Sequence, residues 1–167
     1  MQLSGWGRYP TAVSKIIEPV SQKSAQSHFS NNRQGNPIIA RGSGRSYGDS
    51  ALAGHVLNTR YLDNFTSLDT ANSTVTCGSG VQLKDMLDIV IPAGFFPPVL
   101  PGTKYVTVGG AIAADIHGKN HHLEGCFSDH VLSFKLIKNN GQVVLCEKKK
   151  NNELWKLTCG GMGLTGI

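Results

Sequence analysis

The chain has 167 residues and a formal net charge of +5, and 40% of its residues are hydrophobic and 16% charged. This balance is typical of a folded globular protein and excludes a disordered chain. The cations are scattered apart from residues 148–150, where no aromatic residues interleave, so the charge favours a phosphate-bearing small molecule over a nucleic acid.

The first half of the chain predicts one helix and several short strands. Residues 20–32 are polar with sparse apolar positions, which is typical of a surface helix, and Gly35 is expected to close it. Residues 37–40 and 55–58 read as short strands. Residues 73–77 are rich in β-branched side chains and predict a third strand.

An amphipathic helix is predicted over residues 81–90. Its apolar residues fall at positions i, i+3, i+4 and i+7, which places them on one helical face: Leu83, Met86, Leu87 and Val90. Residues 91–94 contain Pro92 and Gly94 and are expected to end it.

The last third of the chain predicts a hairpin and a short helix. Residues 131–138 and 142–147 flank Asn140-Gly141, a pair expected to supply the positive φ angles of a tight turn. Residues 153–158 are expected to form one or two helical turns. Gly166-Ile167 resembles the beginning of a strand, so we expect the chain to be a piece of a longer polypeptide.

The segment RGSGRSYGD, residues 41–49, directly follows the predicted strand 37–40. Its glycines allow successive N–H groups to point into one concavity that binds an anion. The segment matches neither a Walker loop nor the dinucleotide fingerprint of a Rossmann unit. On this evidence alone an anion-binding loop and a structural turn are about equally supported.

A second candidate site lies in VTVGGAIAAD, residues 106–115, where small residues follow one another. A helix beginning here would offer free N–H groups, and Gly109-Gly110 would allow a pyrophosphate to lie against the backbone. The structural alternative is a small-residue helix packed tightly on a sheet.

The third candidate site is DIHGKNHH, residues 115–122, the densest polar cluster in the chain. Its histidines suggest zinc, but the general base of a zincin is missing and no cysteine lies at a known ligand spacing. We therefore predict no metal. A surface loop of satisfied histidines and a pocket that handles protons both remain open.

Taken in order, RGSGRSYGDSA, PVLPGTKYVTVGGAIAADIHGKNHH and GGMGLTGI resemble the FAD-binding domain of the vanillyl-alcohol-oxidase (PCMH-type) flavoprotein family. More narrowly, they resemble the subgroup of the decaprenylphosphoryl-β-D-ribose 2-oxidases and their bacterial relatives. The resemblance covers residues 37–167. It implies an α+β, two-lobed domain with FAD between the lobes, lobe 1 spanning about 1–100 and lobe 2 about 101–167 and incomplete at its C-terminus.

The resemblance also implies which residues hold FAD. The first loop would wrap the pyrophosphate, the second segment would close over it, residues 114–117 would run along the flavin, and the chain end would add two more contacts. The cofactor-binding residues implied are Arg41, Gly42, Ser43, Gly44, Arg45, Ser46, Tyr47, Gly48, Gly102, Thr103, Thr107, Val108, Gly109, Gly110, Ala114, Asp115, Ile116, His117, Gly166 and Ile167.

Arg45 stands where relatives that attach FAD covalently often carry a histidine, so the resemblance implies non-covalent FAD. The resemblance implies that His117 matches a histidine beside the flavin, with Lys119 close by, and these two are the expected catalytic residues. The implied reaction is oxidation of a secondary alcohol on a small-molecule or lipid-linked sugar, by hydride transfer to flavin N5. The resemblance further implies a C-terminal substrate domain, which we expect to be missing from this chain.

Two other hypotheses remain at this stage. The chain could be a non-catalytic module that binds a nucleotide or anion, or a metal-binding domain that uses His117, His121 and His122. The four cysteines form no CxxC pair, the start lacks a secretory signal, and no apolar run approaches the ~20 residues of a membrane span. These features predict a cytoplasmic protein without an integral membrane segment.

Overall fold

The computed structural model describes residues 1–31 and 36–167. Helices and strands both contribute, as expected of an α+β protein. The strands are β1 (Gln2–Ser4), β2 (Thr11–Val13), β3 (Lys15–Ile17), β4 (Ile38–Arg41), β5 (His55–Asn58), β6 (Phe65–Asp69), β7 (Thr74–Cys77), β8 (Ser133–Ile137) and β9 (Val143–Glu147). The helices are α1 (Gln22–Ser30), α2 (Leu83–Val90), α3 (Val108–Ala113), α4 (His121–Glu124), α5 (Asn152–Thr158) and a 3-10 helix at Phe127–His130.

The strands form small sheets. β3, β5 and β4 make a parallel sheet with β5 in the centre. The pairs β1 with β2, β6 with β7 and β8 with β9 are antiparallel. Parallel pairing brings the ends of β4 and β5 to one edge, so the loop after β4 begins beside Thr59, whose N–H donates to the carbonyl of Arg41.

Most elements predicted from the sequence are confirmed. β4, β5, β7, α2 and α5 lie within two residues of the predicted bounds. α1 begins after Ser21, whose hydroxyl caps the N–H of Ser24, and it ends at Ser30. The predicted closure at Gly35 lies outside the described residues.

The turn between β8 and β9 differs from the prediction. Of the pair Asn140-Gly141, only Gly141 has a positive φ, +80°. The N–H of Gly141 donates to the carbonyl of Lys138, and the N–H of Lys138 donates to the carbonyl of Gln142. The connection is therefore a three-residue loop with glycine in the left-handed position, which needs a positive φ at one residue only.

Three hydrophobic clusters hold these elements together. The first joins α1 to β5 and β8 through Phe29, Leu57 and Ile137. The second surrounds α2, whose predicted apolar face is buried, and takes partners from residues 65–127. The third packs Trp155 of α5 against β8 and β9. The second cluster contains residues from before and after residue 100. The boundary between the two lobes, predicted near residue 100, stays a prediction.

None of the helices in residues 1–31 and 36–167 is both long and apolar enough to cross a bilayer.

Candidate functional site

A cleft that is partly open to solvent lies beside the loop that follows β4. Its lining comes from β4 and the loop after it, the start of α3, β8 and the last residues of the chain. The lining residues are Ala40, Gly42, Ser46, Ser50, Ala51, Thr59, Ser79, Gly109, Gly110, Ile112, Ala113, Ala114, Phe134, Lys135, Leu136, Thr158, Met162, Gly163, Gly166 and Ile167.

The first loop, residues 42–48, presents unpaired backbone donors next to this cleft. Gly44 and Gly48 adopt left-handed φ angles of +64° and +62°, as predicted. Among the described residues, no hydrogen bond uses a main-chain N–H of residues 42–48. Because Gly42 and Ser46 line the cleft and their N–H groups have no acceptor among the described residues, the loop is suited to an anionic ligand.

The start of α3 does not offer the free N–H groups predicted for it. The N–H of Val108 donates to the carbonyl of Val81 over 2.8 Å, and that of Gly109 to the carbonyl of Ser79 over 2.8 Å. The N–H of Gly110 donates to the hydroxyl of Thr107, which caps the helix, over 3.1 Å. The expectation was wrong because residues 79–81 and Thr107 already satisfy these donors.

The glycines of both segments allow close packing. A methyl group on Gly42 would overlap the Thr107 hydroxyl, and one on Gly109 would lie 2.9 Å from the Cβ of Ser79. The first loop, the start of α3 and Ser79 therefore meet at one end of the cleft.

The rest of the lining combines hydroxyls with an apolar wall. Ser46, Ser50 and Ser79 have no side-chain hydrogen bond among the described residues, so their hydroxyls are free to bind a ligand. Ile112, Leu136, Ile167 and several alanines form the apolar part. Among the described residues the lining contains no aspartate or glutamate side chain and one lysine, Lys135, which favours an anionic ligand with an apolar portion.

The predicted cofactor-binding residues divide into two groups. Those on the cleft are Gly42, Ser46, Gly109, Gly110, Ala114, Gly166 and Ile167. Those that do not line it are Arg41, Ser43, Gly44, Arg45, Tyr47, Gly48, Gly102, Thr103, Thr107, Val108, Asp115, Ile116 and His117. Sequence reasoning missed Phe134, Lys135 and Leu136 of β8, because nothing in a strand sequence indicates which loop it will face.

Arg41 holds the first loop in place. Its guanidinium donates to the carbonyl of Ser4 over 2.6 Å and to that of Ala51 over 3.4 Å. Burial lowers the pKa of this guanidinium from its ordinary value. Gly44 of the first loop packs against the same guanidinium, since a methyl group on Gly44 would lie only 2.4 Å from its Nη2 atom. Arg41 therefore connects the loop to Ser4 at the end of β1.

Asp115 and Ile116 make intramolecular contacts. Asp115 has a left-handed φ of +40°, and its carboxylate accepts hydrogen bonds from the N–H of Ser128 at 2.9 Å and from its hydroxyl at 3.1 Å. Ile116 packs in the cluster around α2. These contacts fix the chain that leads from α3 to His117.

His117 and Lys119 are exposed and lie outside the cleft lining. The Nδ1 atom of His117 lies 3.4 Å from the carbonyl of Gly118, and its ring centroid lies 5.2 Å from that of His121. Within the described ranges, no group of three histidine, cysteine or acidic side chains is arranged to hold a metal.

Comparison with known proteins places this geometry in context. The sequence profile of one protein family, described as FAD binding domain, matches residues 15–147. This stretch includes the first loop, α3 and β8, and it contains 15 of the 20 residues that line the cleft.

Individual relatives give the same result. The decaprenylphosphoryl-beta-D-ribose oxidase of Mycolicibacterium smegmatis is 40% identical over 99% of this chain and 37% of its own length. A D-lactate dehydrogenase of Archaeoglobus fulgidus is 30% identical over 68% of this chain and 26% of its own length. The glycolate oxidase subunit GlcD of Bacillus subtilis is 29% identical, with 78% and 30% covered. The chain spans well under half the length of each of these relatives, and the resemblance found in the sequence motifs is confirmed.

Proposed function

Because the chain belongs to the family of FAD binding domains, we propose that it is the cofactor-binding part of an oxidoreductase that oxidises a secondary alcohol. The alcohol would belong to a sugar or a lipid-linked sugar, as the name of the Mycolicibacterium smegmatis relative suggests for that protein. FAD is the cofactor of the family. Our proposal concerns the substrate and the reaction of the whole protein.

The observation that carries the proposal is that the N–H groups of Gly42 and Ser46 have no acceptor among the described residues and lie at a cleft whose described lining has no aspartate or glutamate. The residues present fit FAD, because FAD combines a doubly charged pyrophosphate with two flat ring systems. The loop N–H groups and the hydroxyls of Ser46, Ser50 and Ser79 would hold the pyrophosphate. The apolar wall formed by Ile112, Leu136 and Ile167 would contact a ring.

The position of FAD between two lobes is also a proposal. The cleft takes Gly42, Ser46 and Ser79 from the range predicted as lobe 1, and Gly109, Leu136 and Ile167 from the range predicted as lobe 2. A ligand in the cleft would contact both ranges, which supports an arrangement with FAD between them.

We propose that FAD is bound without a covalent link. Covalent attachment uses a nucleophilic side chain such as histidine, cysteine or tyrosine. Within the described residues the cleft lining contains none of these, and Arg45 cannot act as one. Hydrogen bonds and burial would then provide the whole binding free energy, and FAD should dissociate when the chain unfolds.

His117 and Lys119 are proposed as the residues nearest the reacting alcohol. When bound, FAD supplies the hydride acceptor. If the Nδ1 atom of His117 carries the proton that faces the Gly118 carbonyl 3.4 Å away, the Nε2 atom is free to accept the proton of a substrate hydroxyl. Lys119 is exposed and would orient a hydroxyl or an anionic group of the substrate.

One observation favours a second candidate, a non-catalytic module that binds a nucleotide or another anion. His117 and Lys119 do not line the cleft, so the anion-binding loop and the residues proposed for chemistry are not brought together by the described contacts. This candidate predicts that AMP or pyrophosphate binds at least as well as FAD. The two candidates therefore differ in ligand preference.

The test is a titration of the purified chain with FAD, followed by visible absorption and by quenching of flavin fluorescence. We expect a shift of the flavin bands, weak binding, little alcohol turnover by this chain alone, and release of all yellow colour after acid precipitation. Colour retained in the precipitate would contradict non-covalent binding. Competition by AMP with no change in the flavin bands would contradict the FAD proposal and support the second candidate.

A further inference from the structure

The loop of residues 117–125 carries both residues that we propose for the reaction, and we call it the histidine loop. Its ends are joined by an antiparallel bridge between His117 and Cys126. Just outside the bridge, the N–H of Phe127 donates to the carbonyl of Ile116 over 2.8 Å. Among the described residues, the other main-chain hydrogen bonds of the histidine loop stay within the loop. The main chain therefore closes this loop on itself.

The side chain of Asn120 connects the histidine loop to a distant part of the chain. Its Nδ2 atom donates to the carbonyl of Pro98 over 3.0 Å, 22 residues earlier. Among the described residues, this is the one hydrogen bond that joins the histidine loop to the chain outside residues 115–130. An asparagine that precedes a helix usually caps it, but the side chain of Asn120 makes no such bond to α4. Its amide is used for the long-range contact instead.

Gly118 packs against the same amide. A methyl group on Gly118 would lie 2.5 Å from the Oδ1 atom of Asn120 and 2.9 Å from the carbonyl oxygen of Leu100. Gly118 is buried, although its neighbours in the loop are exposed. The Asn120 amide therefore contacts Gly118 through its oxygen and Pro98 through its nitrogen.

The segment that receives this bond is fixed in the fold. Val99 is 1% exposed, and Leu100 packs in the hydrophobic cluster around α2. Gly102 and Thr103, which the family resemblance implies for cofactor binding, follow directly after Pro101. A bond to the carbonyl of Pro98 therefore holds the histidine loop against a rigid part of the domain.

The same contact determines what His117 faces. The carbonyl of Gly118 accepts the N–H of His121 over 3.2 Å, and the Nδ1 atom of His117 lies 3.4 Å from the same oxygen. A carbonyl oxygen only accepts hydrogen bonds, so this position favours a proton on Nδ1. The ring of His117 also meets that of His121 edge to face, with their centroids 5.2 Å apart. Both contacts depend on where the main chain at Gly118 is held.

We propose that Asn120 is a positioning residue, which sets the orientation and the tautomer of His117 by tying the histidine loop to the carbonyl of Pro98. Asn120 does not line the cleft, so it acts through the loop and not on the cofactor. Lys119 lies between the two residues in the sequence and is positioned by the same bond. The use of His117 as the acceptor of a substrate proton rests on the function proposed above.

The test is nuclear magnetic resonance of the 167-residue chain with labelled histidine, without FAD and at about pH 9, where an ordinary histidine ring is neutral. His117→Gln assigns the signals of His117 by their loss. In the wild type we expect a proton on Nδ1 of His117 and cross-peaks between the rings of His117 and His121. In Asn120→Asp, which keeps the shape but loses the donor, we expect loss of these cross-peaks and a proton on Nε2, the form that free histidine prefers.

Further variants separate the lost bond from other effects. Asn120→Ala removes the donor without adding charge and should change the His117 signals in the same way as Asn120→Asp. The matched control is Asn152→Asp, since the amide of this exposed residue also donates to a main-chain carbonyl, that of Lys148, and it should leave the His117 signals unchanged. Near-ultraviolet circular dichroism checks the folding of each variant. FAD should bind Asn120→Asp as tightly as it binds the wild type.

Three outcomes would overturn the proposal. The first is a wild-type chain in which Nε2 of His117 carries the proton. The second is wild-type His117 signals in both folded Asn120 variants, which would mean that the bond to Pro98 contributes to stability alone. The third is an equal change in the Asn152 control. Failure of the wild type to bind FAD would contradict the proposed function and not this inference, because the resonance measurement uses no FAD.

Discussion

Gly42 packs directly against the hydroxyl of Thr107, the residue that caps α3, so the first loop and the start of this helix share one contact. Gly42 has no left-handed φ, which means that space alone, and not backbone conformation, requires glycine here. The contact brings the unpaired N–H groups of the loop to the cleft.

Gly42→Ala should therefore destabilise the chain by about 1–3 kcal/mol, the usual cost of forcing a methyl group into a packed site. It should also lower FAD affinity, because the loop must move away from Thr107. Urea unfolding and FAD titration measure the two effects. The control is Gly54→Ala, since a methyl group at Gly54 would meet nothing within 4 Å, and it should change stability by no more than about 0.5 kcal/mol. Equal behaviour of the two variants would show that the loop does not depend on this contact.

Arg41→Met should lower the free energy of unfolding by about 2 kcal/mol, because hydrogen bonds from a charged donor to the carbonyls of Ser4 and Ala51 are lost. Arg60→Met is the matched control, since Arg60 is exposed and its ion pair with Glu18 at 3.6 Å should contribute less than about 1 kcal/mol. Chemical denaturation checks both. A stable Arg41 variant with reduced FAD affinity would instead place this guanidinium on the cofactor.

Local patterns in the sequence predicted the elements that bury a regular apolar face. Leu83, Met86, Leu87 and Val90 are all buried, so their helical spacing identified α2. The hairpin β1–β2 has no such face and was missed. Long-range contacts hold it, among them the hydrogen bond from the terminal amine to Ser14 and the packing of Gly5 on Ser46.

In the candidate site, too, local features were predicted from the sequence and long-range contacts were not. Glycine density in residues 41–48 predicted a loop with free donors, because backbone freedom is a local property. The pairing of the α3 donors with Val81 and Ser79 could not be read from the sequence, since it depends on a segment about 30 residues earlier in the chain. For the same reason the contribution of Leu136 to the cleft was not predicted.

Asp115→Ala should cost about 2–4 kcal/mol of stability, because the variant loses both hydrogen bonds to Ser128 and places alanine at a left-handed φ. Asp115→Asn should cost less, since asparagine tolerates this φ and keeps one acceptor. Ser128→Ala, which removes the hydroxyl bond alone, should cost about 1 kcal/mol. Thermal unfolding of the three variants measures the order of these stability losses. An Asp115→Ala variant with full stability would show that the contact between Asp115 and Ser128 is not needed for the fold.

Cys159 should make the stability of the chain depend on alkaline pH. Burial, with a smaller contribution from the charge of Asp115, raises the pKa of this thiol from 9.0 to about 11. In the unfolded chain the thiol ionises from about pH 9, whereas the native thiol stays protonated, so the unfolded state releases its proton first. The free energy of unfolding should therefore fall as the pH rises from 9 to 11.

Cys159→Ala removes this titration and should reduce the fall by about 1 kcal/mol relative to the wild type, less than the full pKa shift implies because solvent screens the half-buried thiol. The comparison uses the difference in slope, because the cavity left by the thiol lowers the stability of the variant at every pH. Cys77 and Cys146, whose pKa values burial also raises, remain in both chains and keep part of the slope. Urea unfolding at pH 8, 9, 10 and 11 measures how the free energy of unfolding depends on pH in the wild type and in the variant. Identical slopes in the two chains would mean that the Cys159 thiol ionises as readily in the native chain as in the unfolded one.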